Sequence, residues 1–291
     1  MTGDRRIWLW FTPVLLVLGG VFLIPVADVI RFSFSDATLL RPVTGYGLDG
    51  YASAYGDDSL PVILRNTGLF TLLSVVSLQA MGLAIALLLV RGDRRGLWGM
   101  GLLRTIVLAA WVIPGIANGL IWQMLLSEAP FGAVNSLLRL IGLAPVAWLS
   151  DPGNAMLSAV IANVWQGSAF SMIVFYAARR AVDPVLYEAA AVDGASPTAQ
   201  FLFITIPQMR GAILVNTILV TIQTLNTFDT ILALTGGGPG RATEVLSLNI
   251  FNRVFYSYDL GGGSALAVLL LAISMMLTLV YLAVLMRKGT R

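Results

Sequence analysis

Six long apolar runs dominate the sequence, at residues 7–30, 67–90, 105–126, 155–178, 212–234 and 262–286. Each reaches about 20 residues, enough for a helix to cross roughly 30 Å of hydrocarbon. A segment in lipid must satisfy its backbone N–H and C=O groups internally. None of the runs alternates with period two, so each is expected to be a transmembrane helix and not a barrel strand. Composition agrees: 57% of the 291 residues are apolar and 11% are charged, against about 25% charged in a soluble domain. The chain therefore reads as an all-α integral membrane protein with six transmembrane helices in one domain, 1–291.

Charge gives the expected orientation. The first run follows Arg5-Arg6, is longer than a signal-peptide core of about 7–15 residues and lacks a small-x-small cleavage site, so it reads as an uncleaved anchor. An even number of spans leaves both termini on one side. With them fall Arg5, Arg6, Arg91, Arg94, Arg95, Arg104, Arg179, Arg180, Arg210, Arg287, Lys288 and Arg291. The opposite loops hold Arg31, Arg41, Arg65, Arg139, Arg241 and Arg253. The excess predicts cytoplasmic termini and cytoplasmic loops at 91–104 and 179–211. The loops at 31–66, 127–154 and 235–261 are then external.

The missing residue types narrow the chemistry. There is no histidine or cysteine, and Lys288 is the only lysine. Disulfides, thiolate nucleophiles, Cys/His metal sites, imidazole acid–base steps and a phosphate-binding loop ending in Lys-Ser/Thr all fall away. The net charge of +3 is too weak to suggest a nucleic-acid partner.

Loop 179–211 carries more local structure than a connection needs. Asp183-Pro184 and Ser196-Pro197 are N-caps followed by proline at the first helical position. Gly194 after Asp193 suits a left-handed helix end, and Ile206-Pro207 is expected to stop a second short helix. Ala189, Ala190, Ala191 and Gly194 anchor poorly in lipid headgroups but admit another backbone closely. The hairpin they form reads as a protein-docking element.

Here a family resemblance enters. Glu188-Ala189-Ala190, Asp193-Gly194-Ala195, Phe201, Ile204 and Pro207 resemble the EAA loop of binding-protein-dependent ABC transporter permeases. Asn66-Thr67, Pro114, Trp122, Gly132, Asn135, Trp165, Phe170, Phe228-Asp229 and Thr235-Gly236-Gly237-Gly238-Pro239 resemble the carbohydrate-uptake branch. The last stretch is similar to the first permease subunit of maltose-type and glycerol-phosphate-type systems. Ile206 and Gly211 depart from the common leucine and proline. The resemblance implies an importer subunit of the bacterial cell membrane and not an enzyme. It implies a coupling helix between the fourth and fifth spans that docks on a cytoplasmic ABC ATPase dimer. Glu188, Ala189, Ala190, Asp193, Gly194, Ala195 and Pro207 are the matched positions. It further implies a second homologous permease and an extracellular or periplasmic solute-binding protein. ATP and Mg would be bound by partner subunits and no cofactor by this chain. The alternative is an independent carrier or channel driven by an ion gradient. Such a carrier is expected to have broken midplane helices, of which the sequence gives no sign.

Candidate pathway residues come from polarity within the spans. Asn216, Gln223, Asn226 and Thr227 lie at offsets of seven, ten and eleven from the first, and Asn163, Gln166 and Phe170 at offsets of three and seven. Each set would share a helical stripe. Amides facing lipid are costly, so both stripes should look inward, either lining a path for a polyhydroxylated solute or bonding neighbouring helices. Trp111, Trp122 and Trp165 read as interfacial residues. Asp229, inside the fifth run, costs roughly 2.5–3.5 kcal/mol to insert. It is expected either to pair with Arg241 or Arg253 or to contact solute. The glycines at 236–240 are expected to form a flexible turn where the chain re-enters or meets a binding protein.

Overall fold

The computed structural model describes residues 4–289, with side chains from 10 to 284. Arg5, Arg6, Arg287, Lys288 and Arg291, counted above for orientation, have side chains outside that range. The helices run α1 (Asp4–Leu18), α2 (Ile24–Ser33), α3 (Asp49–Tyr55), α4 (Leu60–Arg94), α5 (Met100–Val112), α6 (Gly115–Leu125) and α7 (Ala133–Leu140). They continue with α8 (Pro152–Arg180), α9 (Pro184–Val192), α10 (Pro197–Gln200), α11 (Ile206–Leu225), α12 (Asp229–Leu234), α13 (Leu246–Phe251) and α14 (Leu260–Gly289). π-helical turns at Gly19–Leu23 and Phe201–Thr205 join α1 to α2 and α10 to α11, and a third, Asn252–Tyr256, extends α13. Among the described residues there is no strand, only isolated bridges.

Five continuous stretches are long and apolar enough to cross a membrane: Trp10–Ser33, Leu60–Arg94, Pro152–Arg180, Pro197–Leu225 and Leu260–Val284. The third run of the sequence differs. It is a pair, α5 and α6, bent by 106° at a break. Ile113 is extended (φ −67°, ψ 128°) and Pro114 caps α6, as the proline ring disfavours helical geometry at the residue before it. The chain is an all-helical multi-pass membrane protein with five candidate spans, or six if the bent pair crosses as one.

The fifth run is also redrawn. The helix begins at Pro197, fifteen residues before the expected start at Ala212, and ends at Leu225 and not at 234. Ile206-Pro207 does not stop it. The π turn ahead of the proline sends the Ile206 N–H to the Phe201 carbonyl, five residues back. This wider turn relieves the clash that a proline makes with the carbonyl four residues earlier. Residues 226–228 then form a second break before α12.

The chain forms two compact units, Met1–Pro61 with Asn249–Ile273, and Val62–Leu248 with Ser274–Arg291. In the first, nearly every side chain from Trp10 to Ile30 is exposed, as a lipid-facing helix requires. Its loop after α2 is pinned by Asp36, whose carboxylate accepts the Thr44 hydroxyl and the Gly45 and Thr44 N–H groups. These bonds hold the Asp36 carboxyl down at about 2. Arg253 pairs with Asp259 at 2.8 Å, and Asp259 also accepts the Gly262 N–H at 2.8 Å.

In the second unit α4, α8 and α11 share a core built on Ala86, Leu89, Met172, Phe175 and Met209. Gly82 lets α4 and α8 cross closely: a Cβ there would lie 2.3 Å from the Ser171 Cβ and 2.9 Å from its backbone carbon. Small residues at such crossings let spans gain dispersion contacts that lipid cannot replace. Gly82→Val is therefore expected to cost about 1–3 kcal/mol or more through overpacking. The check is membrane level and detergent melting temperature; a wild-type melting temperature would contradict the crossing. Beyond α6, Glu128 accepts the Leu149 N–H, the Ser150 hydroxyl and the Ser150 N–H, and these bonds hold its carboxyl below the ordinary range.

Candidate functional site

The two helix breaks of the second unit lie against one another. Thr230 Oγ1 donates to the Gly115 carbonyl at 3.2 Å, and Gln123 Nε2 donates to the Leu234 carbonyl at 3.3 Å. α6 and α12 approach so closely at Gly119 that a Cβ there would lie 2.5 Å from the Thr230 carbonyl oxygen and 2.6 Å from the Ala233 Cβ. Only glycine fits between them.

The Pro114 break leaves the Ile113 carbonyl without a helical partner. Gln166 of α8 supplies one: its Nε2 donates to that carbonyl at 2.5 Å, while its Oε1 accepts from Asn118 Nδ2 at 3.0 Å. Asn118 also donates to the Ala162 carbonyl at 3.2 Å and is fully buried. An unpaired carbonyl at this depth would cost about 1–3 kcal/mol, so this amide pair stabilises the bend. Asn163 is 9% exposed, and its Nδ2 has no partner. Phe170 is half-buried and packs on Trp111 with ring centroids 6.2 Å apart. Trp122 and Trp165 meet edge to face at 6.0 Å.

The fifth-span stripe divides. Asn216 is fully buried and donates to Gln79 Oε1 at 2.7 Å and Ser171 Oγ at 3.0 Å, tying α11 to α4 and α8. Gln79 also bonds Thr217 and the Ile213 carbonyl. Gln223 is exposed near the end of α11. Asn226 and Thr227 lie past that end, so the helical offsets assumed for them do not apply. Their side chains turn back, Asn226 Nδ2 to the Ile222 carbonyl at 2.7 Å and Thr227 Oγ1 to the Gln223 carbonyl at 3.1 Å. Each supplies a donor to the frayed end of α11.

Asp229 opens α12 beside the first residue of α6, where a Cβ on Gly115 would lie 1.9 Å from its Oδ2. The carboxylate is half-buried, accepts the Thr230 N–H at 2.9 Å, and forms no ion pair among the described residues. The expected arginine partners are taken. Arg241 lies 3.6 Å from Glu244, and Arg253 holds Asp259.

The glycine run forms a turn closed by hydrogen bonds. Gly236, Gly237 and Gly240 have φ of 62°, 92° and 51°, a region that side chains disfavour. Thr243 and Thr235 share a hydroxyl bond at 2.7 Å, and Thr243 donates to the Gly238 carbonyl at 2.8 Å. Asn66 Nδ2 reaches the Arg241 carbonyl at 2.8 Å, and Thr67 Oγ1 accepts the Leu246 N–H at 2.8 Å. The Asn66-Thr67 pair thus clasps this turn onto α4.

Loop 179–211 forms its first helix as the caps predict. Asp183 accepts the Val185 N–H at 2.9 Å, and Ser196 accepts the Ala199 N–H at 3.2 Å. Gly194 has φ 77°. The Ala195 N–H bonds the Ala190 carbonyl at 2.8 Å and the Gly194 N–H bonds the Ala191 carbonyl at 3.1 Å, the paired pattern of a Schellman helix end. α9 buries none of its residues; Val192 is 89% and Val185 61% exposed. Glu188, Ala189, Asp193 and Gly194 are exposed with them, Ala190 and Ala195 are half-exposed, and Pro207 is exposed on α11. Tyr187 ties the base of α9 to the π turn through Thr205 at 2.9 Å.

Residues 80–288 match the model of the binding-protein-dependent transport system inner membrane component family. The chain belongs to that family. It is 35% identical, over 95% of its length and 92% of the relative's, to the trehalose/maltose transport system permease protein MalF of Thermococcus litoralis. It is 34% identical, over 98% and 92%, to the sulfoquinovosyl glycerol transport system permease protein SmoG of Agrobacterium fabrum. Its fold is similar, with a TM-score of 0.82 and 22% identity, to a bacterial ABC transporter chain involved in the import of the acidic polysaccharide alginate, over 97% and 96% of the two chains. This permease is a subunit of an ABC importer and not an independent carrier. Its broken helices do not mark a separate carrier class.

Sequence reasoning missed Gln79, Asn118, Gly115 and Gly119. The cost of an amide in lipid, applied above to the fourth and fifth runs, applies equally to Gln79 and Asn118 in the second and third. The glycines carry no such signal, because only packing makes their missing side chains matter.

Proposed function

We propose that this permease forms half of a translocation path for a sugar or related glycoside, with its termini and α9 in the cytoplasm of a bacterial cell. The observation that carries the path is the pairing of the two helix breaks, at Ile113-Pro114 and 226–228, with the Asp229 carboxylate, which forms no ion pair among the described residues, beside them. Irregular backbone at membrane depth is tolerated where it lines a cavity or is covered by protein. Gln223, Asn226, Thr227 and Asp229 offer solute hydroxyls both donors and acceptors, and Asn163 and Phe170 add an amide and an aromatic face from α8. Gln166 contributes by holding the bend, and Asn216 by holding α11. The relatives named for trehalose/maltose and sulfoquinovosyl glycerol support a glycoside over an amino acid or an ion.

α9 is the coupling helix in this reading. Glu188, Ala189, Ala190, Asp193, Gly194 and Ala195 meet a cleft of the ATPase dimer, and Pro207 lies where the loop helix runs into the fifth span. ATP and Mg are held by those ATPase subunits, a second homologous permease completes the path, and a solute-binding protein delivers the cargo. The test is reconstitution into proteoliposomes. ATP hydrolysis is expected only with the ATPase subunits present and to rise with glycoside-loaded binding protein. Hydrolysis by the purified chain alone would overturn the assignment, and a binding protein that ignores glycosides in a thermal-shift screen would overturn the cargo class.

A further inference from the structure

The C-terminal ends of α4 and α8, together with α9, α10 and the π turn after it, enclose an open cavity of about 370 Å³. Its wall carries four guanidinium groups, on Arg91, Arg94, Arg95 and Arg179, and no acidic side chain. Asp93, their neighbour in sequence, is already engaged by Arg104 at 3.1 Å and the Tyr176 hydroxyl at 2.5 Å. Arg179 is 8% exposed and lies over the Tyr187 ring at 4.1 Å. Its Nη1 is buried without a hydrogen-bond partner. A buried unpaired donor and four gathered like charges are both costly unless an anion satisfies them. The rest of the wall is largely apolar, including Leu87, Val90 and Phe201.

We propose that this cavity seats the phosphodiester headgroup of an anionic phospholipid, with Arg179 reaching the phosphate and acyl chain lying along Leu87, Val90 and Phe201. Basic pockets between spanning helices suit such headgroups, and this one opens at the ends of two spans. A carboxylate from a soluble protein would match one guanidinium and leave the apolar wall uncovered. The lipid also steadies α9, because the phosphate holds Arg179 and Arg179 stacks on Tyr187, the residue before Glu188. That consequence rests on the docking role proposed for α9; the binding site itself does not.

The test uses the permease with its copurifying subunits in nanodiscs of phosphatidylcholine, phosphatidylcholine with phosphatidylglycerol, or phosphatidylcholine with phosphatidylglycerol and added inorganic phosphate. Native mass spectrometry then reads the lipid retained. Phosphatidylglycerol is expected to be retained over phosphatidylcholine, and inorganic phosphate is expected not to displace it. Retention should fall about fivefold for each arginine removed in Arg91→Gln and Arg94→Gln, while Arg210→Gln, outside the cavity, binds as wild type. Arg91 and Arg94 are exposed, so these variants keep the test informative even where Arg179→Gln misfolds. Equal retention of both lipids, or wild-type retention by the double variant, would overturn the proposal. So would displacement by inorganic phosphate, or a cross-link from position 91 to an acidic residue of the ATPase. Hydrolysis that responds to loaded binding protein while lipid retention fails overturns only the lipid site and leaves the importer reading intact.

Discussion

Gly194→Val is expected to abolish most solute uptake while leaving membrane insertion intact. Gly194 closes α9 at φ 77°, where a β-branched residue is a genuine outlier. Nothing in this chain lies within 4 Å of a Cβ at that position, so the substitution meets strain and not an internal clash. A side chain in left-handed geometry costs about 1–2 kcal/mol, and more when β-branched. The docking-competent turn is then populated about five- to thirtyfold less. Stimulation of ATP hydrolysis by loaded binding protein should fall by the same factor. Gly194→Asn separates two causes, because asparagine tolerates this region of φ. If Asn works as wild type does, backbone strain explains the loss. If Asn fails as Val does, the ATPase fills the space above the glycine. Wild-type uptake and stimulated hydrolysis in Gly194→Val would remove α9 from the coupling role.

Substitutions at the paired breaks are expected to lower uptake without loss of assembly. Asp229→Asn removes a charged acceptor, whose hydrogen bonds contribute about 1.5–3 kcal/mol, and uptake should fall roughly ten- to a hundredfold. Gln223→Leu and Asn226→Leu remove neutral partners contributing about 0.5–1.5 kcal/mol each, for about two- to tenfold losses. Gly115→Ala reports on the same carboxylate from the other side, since its Cβ would lie 1.9 Å from Asp229 Oδ2. The carboxylate must rotate away, and uptake should move toward the Asp229→Asn value. Asn216→Leu behaves differently. It leaves Gln79 Oε1 and Ser171 Oγ without their donor between three helices, so the amount of assembled complex should fall before transport does. Normal uptake in Asp229→Asn and Gln223→Leu together would put the path elsewhere.

Much of this architecture was already legible in the sequence, because the responsible forces act locally. Apolar length located five of the spans to within several residues at most ends, and α14 (Leu260–Gly289) against the expected 262–286 is typical. Caps are local too. Asp183, Ser196 and Gly194 each act on N–H or C=O groups only a few residues away, so the start, the end and the left-handed closing residue of α9 were all readable. The resemblance carried by Glu188-Ala189-Ala190 and Asp193-Gly194-Ala195 pointed to the right family for the same reason: contiguous motifs survive without knowledge of the fold.

The tertiary structure decided what one segment alone could not. Pro114 breaks a span completely while Pro207 rides through one, although both are prolines in apolar surroundings. At Pro114 the freed carbonyl finds Gln166 on another helix, and at Pro207 a π turn in its own helix absorbs the missing donor. Asn216 and Gln223 looked equivalent on one stripe, yet only Asn216 has Gln79 and Ser171 within reach, so one ties helices together and the other stays exposed. Asp229 turned from the arginines expected to hold it because Glu244 and Asp259 are nearer to them along the chain, and it settled where Gly115 leaves room. Span positions follow from the solvent each residue prefers, which is a property of the chain itself. The breaks, and the roles of the polar groups beside them, follow from partners more than a hundred residues away in several cases (Asn216 to Gln79, Thr230 to Gly115), and those partners exist only once the helices have packed.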